Sequence, residues 1–152
     1  MIKYVKGDVT KPDIEGKLII AHLCNNIGAF GAGVSGAIGR KWPIVEMQYR
    51  KLLRGHQADH ILGYTQFVVD GPLVIANMIA QNGIGRGKDR VDYVSLEKCL
   101  EELGSWAKYM NIPIVMPRIG CGLAGSSWDK IEPYVVKMVL EHNVDVYIYD
   151  KE

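Results

Sequence analysis

The sequence lacks the features that mark several classes of protein. It has three cysteines, Cys24, Cys99 and Cys121, which are far apart, form no CxxC pair and have no histidine at zinc-site spacing. We therefore expect reduced, mostly buried thiols, a cytoplasmic protein, no metal site and no cofactor. Cys121 is the exception, since it lies in a glycine-rich loop beside the start of a predicted helix, where the pKa of a thiol falls.

Charge of one sign and long apolar runs are also missing. The 18 basic and 17 acidic residues leave a net charge of +1, which disfavours non-specific binding to DNA, RNA or membranes. No segment approaches the roughly 20 apolar residues of a transmembrane helix, and the opening residues carry no leader pattern. We expect a single domain over residues 1–152, monomeric, without a membrane partner.

Two glycine-rich loops are the most informative feature that is present. One runs through residues 25–33 and follows the apolar segment Leu18 to Cys24; the other covers residues 117–127 and follows Ile112 to Met116. Each ends where a helical pattern begins. Glycine lets backbone N–H groups approach a ligand, and a helix N-terminus adds partial positive charge. Two such loops on one sheet indicate a diphosphate held from both sides.

The remaining pattern predicts alternating strands and helices. Strands are predicted over Ile2 to Val5, Leu18 to Cys24, Tyr64 to Asp70, Pro72 to Ala80, Ile112 to Met116 and Val144 to Tyr149. Helices are predicted to end near Lys41 and to run from Pro43 to Leu53, from Asp92 to Met110 and from Asp129 to Glu141. In the last helix, Asp129 and Glu132 are predicted to form a capping box, and Pro133 to distort the first turn. These elements predict an α/β fold: a three-layer α/β/α sandwich with a mixed central sheet, whose ligand binds at the carboxyl ends of the strands.

The first loop contains a GxGxxG sequence, Gly31 to Gly36. A dinucleotide-binding unit of the Rossmann type also needs an acidic residue at the tip of the next strand. Here Glu46 lies inside a predicted helix, and the next strand begins only near Tyr64. The motif therefore does not predict a Rossmann site.

Three segments together resemble the macro domain family. They are the KGDVT opening at residues 6–10, the first loop at residues 25–36 and the PRIGCGLA sequence at residues 117–124. They occur in the family's order, and the resemblance covers essentially the whole chain. It implies a domain that binds ADP-ribose or a derivative of it.

The resemblance also implies roles for individual residues. Asp8 would accept a hydrogen bond from the adenine amino group, Val9 would line that pocket, and Asn25 would contact the distal ribose. Read without the family, Asp8 is a turn-capping residue after a strand, and that alternative stays open. The backbone implied to wrap the diphosphate is that of Gly31, Ala32, Gly33, Val34, Ile119, Gly120, Cys121, Gly122, Leu123 and Ala124.

Within the superfamily, the chain is similar to the branch of terminal ADP-ribose protein glycohydrolases and yeast-type ADP-ribose 1''-phosphate phosphatases. Three side chains of the related hydrolases are missing. No lysine occurs in residues 77–82, Ala124 stands in place of an acidic residue, and Ser35 stands in place of an aspartate. The resemblance therefore favours the phosphatase-like group over covalent lysine chemistry.

Asn25 and His22 are the candidate catalytic residues. Asn25 would position the distal ribose or an attacking water, and His22 would act as a general acid or base near neutral pH. The alternative for His22 is a core histidine bonded to the backbone. Phe30 is expected to stack on a ribose or diphosphate face.

The loop at residues 83–90 supplies further candidates. Asp89 is the remaining acid, with a capping or surface role as the alternative. The cations Arg86, Lys88 and Arg90 suit a terminal phosphate, with a solvated charge run as the alternative.

Removal of the terminal phosphate from ADP-ribose 1''-phosphate is the leading hypothesis. The alternatives are a hydrolase that removes ADP-ribose from a modified protein or nucleic acid, and a non-catalytic ADP-ribose reader. An ADP-ribosylated macromolecule is thus a possible partner beside the small-molecule ligand.

Overall fold

The computed structural model describes residues 1–151. Its strands and helices, in chain order, are β1 (Ile2–Lys6), β2 (Leu18–Asn25), α1 (Gly33–Lys41), α2 (Pro43–Arg54), α3 (Ala58–Ile61), β3 (Thr65–Asp70), β4 (Leu73–Gln81), α4 (Tyr93–Met110), β5 (Ile114–Met116), α5 (Trp128–His142) and β6 (Val146–Asp150).

The strands form one mixed sheet in the order β1-β6-β5-β2-β4-β3. The first five strands in this order are parallel to one another, and β3 pairs antiparallel with β4 across the turn between Asp70 and Leu73. The nearly continuous apolar sequence of β2 follows from burial on both faces of the sheet. Parallel pairing brings the carboxyl ends of β5 and β2, and hence the two glycine-rich loops, to adjacent positions on one edge.

Helices cover both faces of the sheet. On one face, α4 and α5 pack on Ile19, Ala21 and the other inward residues of that side. On the opposite face, α1 and α2 pack on a second cluster that includes Ile20, Ile75 and Tyr49. The predicted three-layer α/β/α architecture with a mixed sheet is confirmed.

Local details differ from the predictions at several points. The polar segment around His60 forms the short helix α3. The predicted capping box of α5 is wrong, because Ser127 occupies the N-cap position and makes no side-chain capping bond. Pro133 lies inside α5 without ending it. Asp92, by contrast, caps α4 by accepting the N–H of Ser95 at 3.1 Å.

Within residues 1–151, none of the helices has the length and apolar character needed to cross a membrane.

Candidate functional site

A cleft of about 600 Å³ opens at the carboxyl ends of β2 and β5. Both glycine-rich loops line it, as the sequence predicts. The predicted site residues on its walls are His22, Asn25, Phe30, Gly31, Ala32, Gly33, Val34, Ile119, Gly120, Gly122, Leu123 and Ala124. Ser35 and Arg86 also line it.

The first wall is the N-terminus of α1. The N–H groups of Gly33, Val34 and Ser35 have no acceptor within residues 1–151, and the first turn contains no acidic side chain. Gly36 allows the loop to close, since a Cβ there would lie 2.6 Å from the carbonyl oxygen of Gly31. The wall therefore offers unpaired N–H groups and the positive end of a helix dipole, an arrangement suited to an anion.

The second wall is the loop at residues 119–124. In the part of the chain that the structure describes, the N–H groups of Gly122, Leu123 and Ala124 also have no acceptor. Turn bonds fix the backbone around them: the N–H of Ser126 donates to Gly120 at 2.9 Å, and that of Gly125 to Gly122 at 3.1 Å. A second set of anion-binding donors thus faces the first across the cleft.

Asn25 shapes the first loop with its side chain. Its Oδ1 accepts the N–H of Ile27 at 3.0 Å, the N–H of Ala29 at 3.2 Å and the hydroxyl of Tyr49 at 2.9 Å. Its Nδ2 donates to the carbonyl of Ala29 at 2.7 Å. The carboxamide oxygen is therefore occupied within the loop, and any contact with a ribose falls to the second Nδ2 hydrogen. The role predicted for Asn25 on the ligand stays a prediction.

His22 is buried, with 1% of its surface exposed, although it lies at the base of the cleft. Its Nδ1 lies 2.9 Å from Oγ of Ser35, and its Nε2 lies 2.5 Å from Oδ1 of Asn77. Burial lowers the pKa of His22 to about 4, despite the opposing bond to Asn77. The ring is thus neutral at pH 7 and is bonded to side chains rather than to the backbone.

Phe30 is placed in the core rather than on the ligand. It is 2% exposed, its ring packs edge-on against His22 with centroids 5.6 Å apart, and it lies 4.9 Å from the ring of Tyr49. The expected stacking on a ribose or diphosphate face is therefore wrong, because the buried ring leaves almost no surface for a ligand.

Asp8, Val9 and Cys121 do not line the cleft. Asp8 is exposed after β1, and its Oδ1 accepts the N–H of Thr10 at 2.9 Å and its hydroxyl at 2.8 Å. These bonds lower the pKa of Asp8. Val9 is a buried core residue.

The low pKa expected for the Cys121 thiol is wrong, because partial burial raises that pKa. Cys24 and Cys99 are buried free thiols, as predicted.

The three cations of the loop at residues 83–90 do not converge. Arg86 lines the cleft, whereas Lys88 and Arg90 line a separate, smaller pocket. Asp89 also lies outside the cleft, where it accepts the N–H of Val91 at 3.0 Å and the hydroxyl of Tyr93. Asp89 is therefore engaged in local hydrogen bonds outside the cleft and caps no helix, since the N-cap of α4 is Asp92.

Sequence reasoning missed several polar residues around the cleft. Asn26 is buried and ties the first loop to Asn82 and Gly83 by bonds of 3.1 and 2.8 Å. Arg118 lines the cleft and forms a two-point ion pair with Asp150, at 2.6 and 3.0 Å. The available signal was a polar residue near the end of a buried strand: Asn26 directly after β2 and Arg118 two residues after β5. Only the fold shows that Arg118 pairs with Asp150.

A candidate metal centre would need converging histidine, cysteine or carboxylate ligands. Over the described residues, such a group occurs at Glu101, Glu141 and His142, whose ligand atoms lie within 4.8 Å of one another on α4 and α5. None of the three lines the cleft.

Solved structures with the same fold are known. A Bacteroides thetaiotaomicron protein of unknown function is 35% identical with a TM-score of 0.89, and the alignment covers 99% of this chain and 98% of that one. A macrodomain protein from Streptomyces coelicolor is 34% identical with a TM-score of 0.82, and 99% of both chains are covered.

Sequence relatives extend the comparison. An uncharacterized 17.5 kDa protein of Enterobacteria phage T4 is 32% identical, covering 87% of this chain and 86% of its own. An ADP-ribose 1''-phosphate phosphatase of Lodderomyces elongisporus is 27% identical, covering 98% and 99%. No protein-family model matches the chain. The cleft between two glycine-rich loops, the sheet order and the 34% identity to a solved macrodomain over nearly the full length show that this chain belongs to the macro domain family.

Proposed function

We propose that this protein binds ADP-ribose and hydrolyses ADP-ribose 1''-phosphate to ADP-ribose and phosphate. The observation that carries the binding proposal is the pair of facing walls, whose N–H groups have no acceptor inside residues 1–151. A diphosphate supplies acceptor oxygens on two sides and negative charge for the N-terminus of α1.

The sheet order supports one orientation of the ligand. Asp8 follows β1, three strand intervals, or about 14 Å, from β2. With adenine near Asp8, the diphosphate would lie between the loops that follow β5 and β2. The distal ribose would then lie toward β4, the next strand of the sheet. At that end the cleft is lined by Gln81 and Arg86. A guanidinium there suits an additional phosphate on the ribose.

Similarity to named relatives supports removal of the terminal phosphate over removal of ADP-ribose from a protein or nucleic acid. Relatives from five yeasts that are 24 to 27% identical bear the name ADP-ribose 1''-phosphate phosphatase. Residues 77–82, at the carboxyl end of β4, contain no lysine, so a covalent lysine intermediate at that position is unsupported. The proposed compartment is the cytoplasm, in keeping with three free thiols.

The test measures release of inorganic phosphate from ADP-ribose 1''-phosphate, together with calorimetric binding of ADP-ribose. We expect release above background with that substrate and none with p-nitrophenyl phosphate, which lacks the diphosphate. Binding of ADP-ribose without release of phosphate would overturn the proposed activity and favour a reader. Loss of label from an ADP-ribosylated protein or nucleic acid, again without release of phosphate, would favour the de-ADP-ribosylating hydrolase.

A further inference from the structure

A row of hydrogen bonds crosses the core from α2 to the cleft. The carbonyl of Gln48 accepts from Nε2 of Gln66 at 3.0 Å, and Oε1 of Gln66 accepts from Nδ2 of Asn77 at 3.0 Å. Oδ1 of Asn77 lies 2.5 Å from Nε2 of His22, and Nδ1 of His22 lies 2.9 Å from Oγ of Ser35. Polar side chains thus connect the outer helix with a residue on the cleft wall.

Strand register explains why these side chains meet. His22 of β2 pairs with Asn77 of β4, and Asn77 pairs with Gln66 of β3. Paired residues of adjacent strands point to the same face of a sheet, here the face covered by α1 and α2. Ser35 lies in the first turn of α1, which packs above the end of β2.

The backbone carbonyl of Gln48 fixes the direction of every bond in this row. A carbonyl only accepts, so Gln66 presents its Nε2 to Gln48 and its Oε1 to Asn77. Asn77 must then donate to Gln66 and present its Oδ1 to His22. That oxygen accepts only if Nε2 of His22 carries the proton.

Ser35 is the last residue of this row. With the proton on Nε2, Nδ1 of His22 is an acceptor, and the hydroxyl of Ser35 donates to it at 2.9 Å rather than to the carbonyl of Leu23, which lies 3.5 Å away. Because burial keeps His22 neutral around pH 7, this pattern persists under ordinary conditions. The hydrogen of Ser35 is therefore directed into the core, and its oxygen presents lone pairs to the cleft that it lines.

From this polarity we infer that Ser35 is a catalytic residue: its Oγ accepts a proton from the water that attacks the terminal phosphate, while its own proton passes to Nδ1 of His22. This inference rests on the proposed function. His22 and Asn77 are positioning residues, since they act through Ser35. Asn77 holds the tautomer of His22 and accepts a hydrogen bond from the transient imidazolium.

The step balances in protons and bonds. The water loses a proton to Ser35, its oxygen forms a bond to phosphorus, and the bond between phosphorus and the ribose 1''-oxygen breaks. The departing oxygen, which lies opposite the attacking water in an in-line displacement, takes a proton from solvent, and the proton held by His22 returns through Ser35 to solvent. Phosphate leaves, and the row of hydrogen bonds returns to its starting state.

The kinetic test compares Ser35→Ala and Ser35→Thr with Ser105→Ala, which removes a hydroxyl from an exposed position on α4, outside the cleft. We expect kcat for phosphate release to fall about 100-fold or more in Ser35→Ala, with the Kd for ADP-ribose within about twofold, because proton transfer rather than binding is lost. Ser35→Thr keeps a hydroxyl and should recover much of the rate; Ser105→Ala should match the wild type.

The outcomes separate this inference from the function on which it rests. A wild-type protein without phosphate release overturns the proposed function, and the role of Ser35 with it. A wild-type protein that releases phosphate, beside an equally active Ser35→Ala, overturns the role of Ser35 alone.

Nitrogen-15 NMR of the wild-type protein tests the polarity without any substitution. We expect the proton of His22 on Nε2 at pH 7. Gln66→Met removes the amide that orients Asn77, so a mixture of tautomers is expected there. If the proton of wild-type His22 were on Nδ1, that N–H would donate to Oγ of Ser35, and the hydroxyl hydrogen of Ser35 would be free to donate into the cleft. This result would overturn the inference, whatever the kinetics show.

Discussion

The hydroxyl oxygen of Tyr49 lies 2.9 Å from Oδ1 of Asn25 and 2.7 Å from the carbonyl oxygen of the same residue. It also accepts the N–H of Gly28 at 3.2 Å. Tyr49 is a fully buried residue of α2, so an outer helix holds the first glycine-rich loop in the shape that lines the cleft.

Removing this hydroxyl should loosen the loop. In Tyr49→Phe the N–H of Gly28 loses its partner, and we expect the free energy of unfolding to fall by about 1 to 2 kcal/mol, with weaker ADP-ribose binding. Asn25→Ala leaves the N–H groups of Ile27 and Ala29 unpaired and should cost about 3 kcal/mol. Urea unfolding and calorimetry measure both effects.

Tyr109→Phe is the matched control, since Tyr109 is 86% exposed on α4. It should leave stability unchanged. Equal stability of Tyr49→Phe and Tyr109→Phe would contradict the supporting role assigned to Tyr49.

Asp8 tests the placement of adenine. Asp8→Ala should weaken ADP-ribose binding about tenfold, because an adenine amino group would lose a charged acceptor worth about 1.4 kcal/mol. Calorimetry with ADP-ribose measures the loss, and Asp59→Ala on exposed α3 is the control. An unchanged Kd for Asp8→Ala would mean that adenine lies elsewhere.

Arg86 tests the distal end of the ligand. Arg86→Ala should raise KM for ADP-ribose 1''-phosphate several-fold while changing the Kd for ADP-ribose little, because only the former carries the additional phosphate. Lys88→Ala removes a neighbouring cation whose side chain lies outside the cleft and should change neither constant. Equal losses for the two ligands would place Arg86 on the diphosphate instead.

Buried His22 predicts a pH dependence of stability. Its pKa is about 4 in the folded protein and about 6.5 when unfolded, so between these values the unfolded chain binds more protons. Stability should therefore fall as the pH drops from 7 toward 4, by about 3 kcal/mol from this residue, and show no further loss from it below pH 4.

Urea unfolding at pH 7 and pH 4.5 measures this loss. The difference between the two pH values should shrink in His22→Gln, which cannot take up a proton on unfolding. His60→Gln, at an exposed position, is the control and should keep the wild-type difference. A His22→Gln protein with an undiminished difference would show that His22 is not the group responsible.

Local sequence accounts for most of the fold. The apolar run of β2 and the helical pattern from Asp92 to Met110 each encode one element through short-range spacing, and the observed bounds lie close to the predicted ones. The capping of α5 was mispredicted because the helix starts earlier than the sequence pattern indicates: its N-cap position is Ser127, two residues before Asp129.

The candidate site was predictable where it consists of backbone. Glycines at Gly31, Gly33, Gly120 and Gly122 mark the loops in the sequence, and the structure places them on one cleft. Side-chain roles were less predictable. Phe30 was expected to stack on the ligand, but it packs against Tyr49 of α2, and the Oδ1 of Asn25 is held by the same tyrosine, so the ligand role of Asn25 stays a prediction.

The sequence by itself determined the alternation of strands and helices and the two loops that supply N–H donors, because both depend on residue types within a few positions of each other. Only the tertiary structure decided which side chains meet. His22, Asn77 and Gln66 lie on three different strands whose register aligns them, and the packing of α1 adds Ser35 to the same row. The direction of its hydrogen bonds, and with it the polarity of Ser35 in the cleft, depends on the carbonyl of Gln48 in a different layer of the fold.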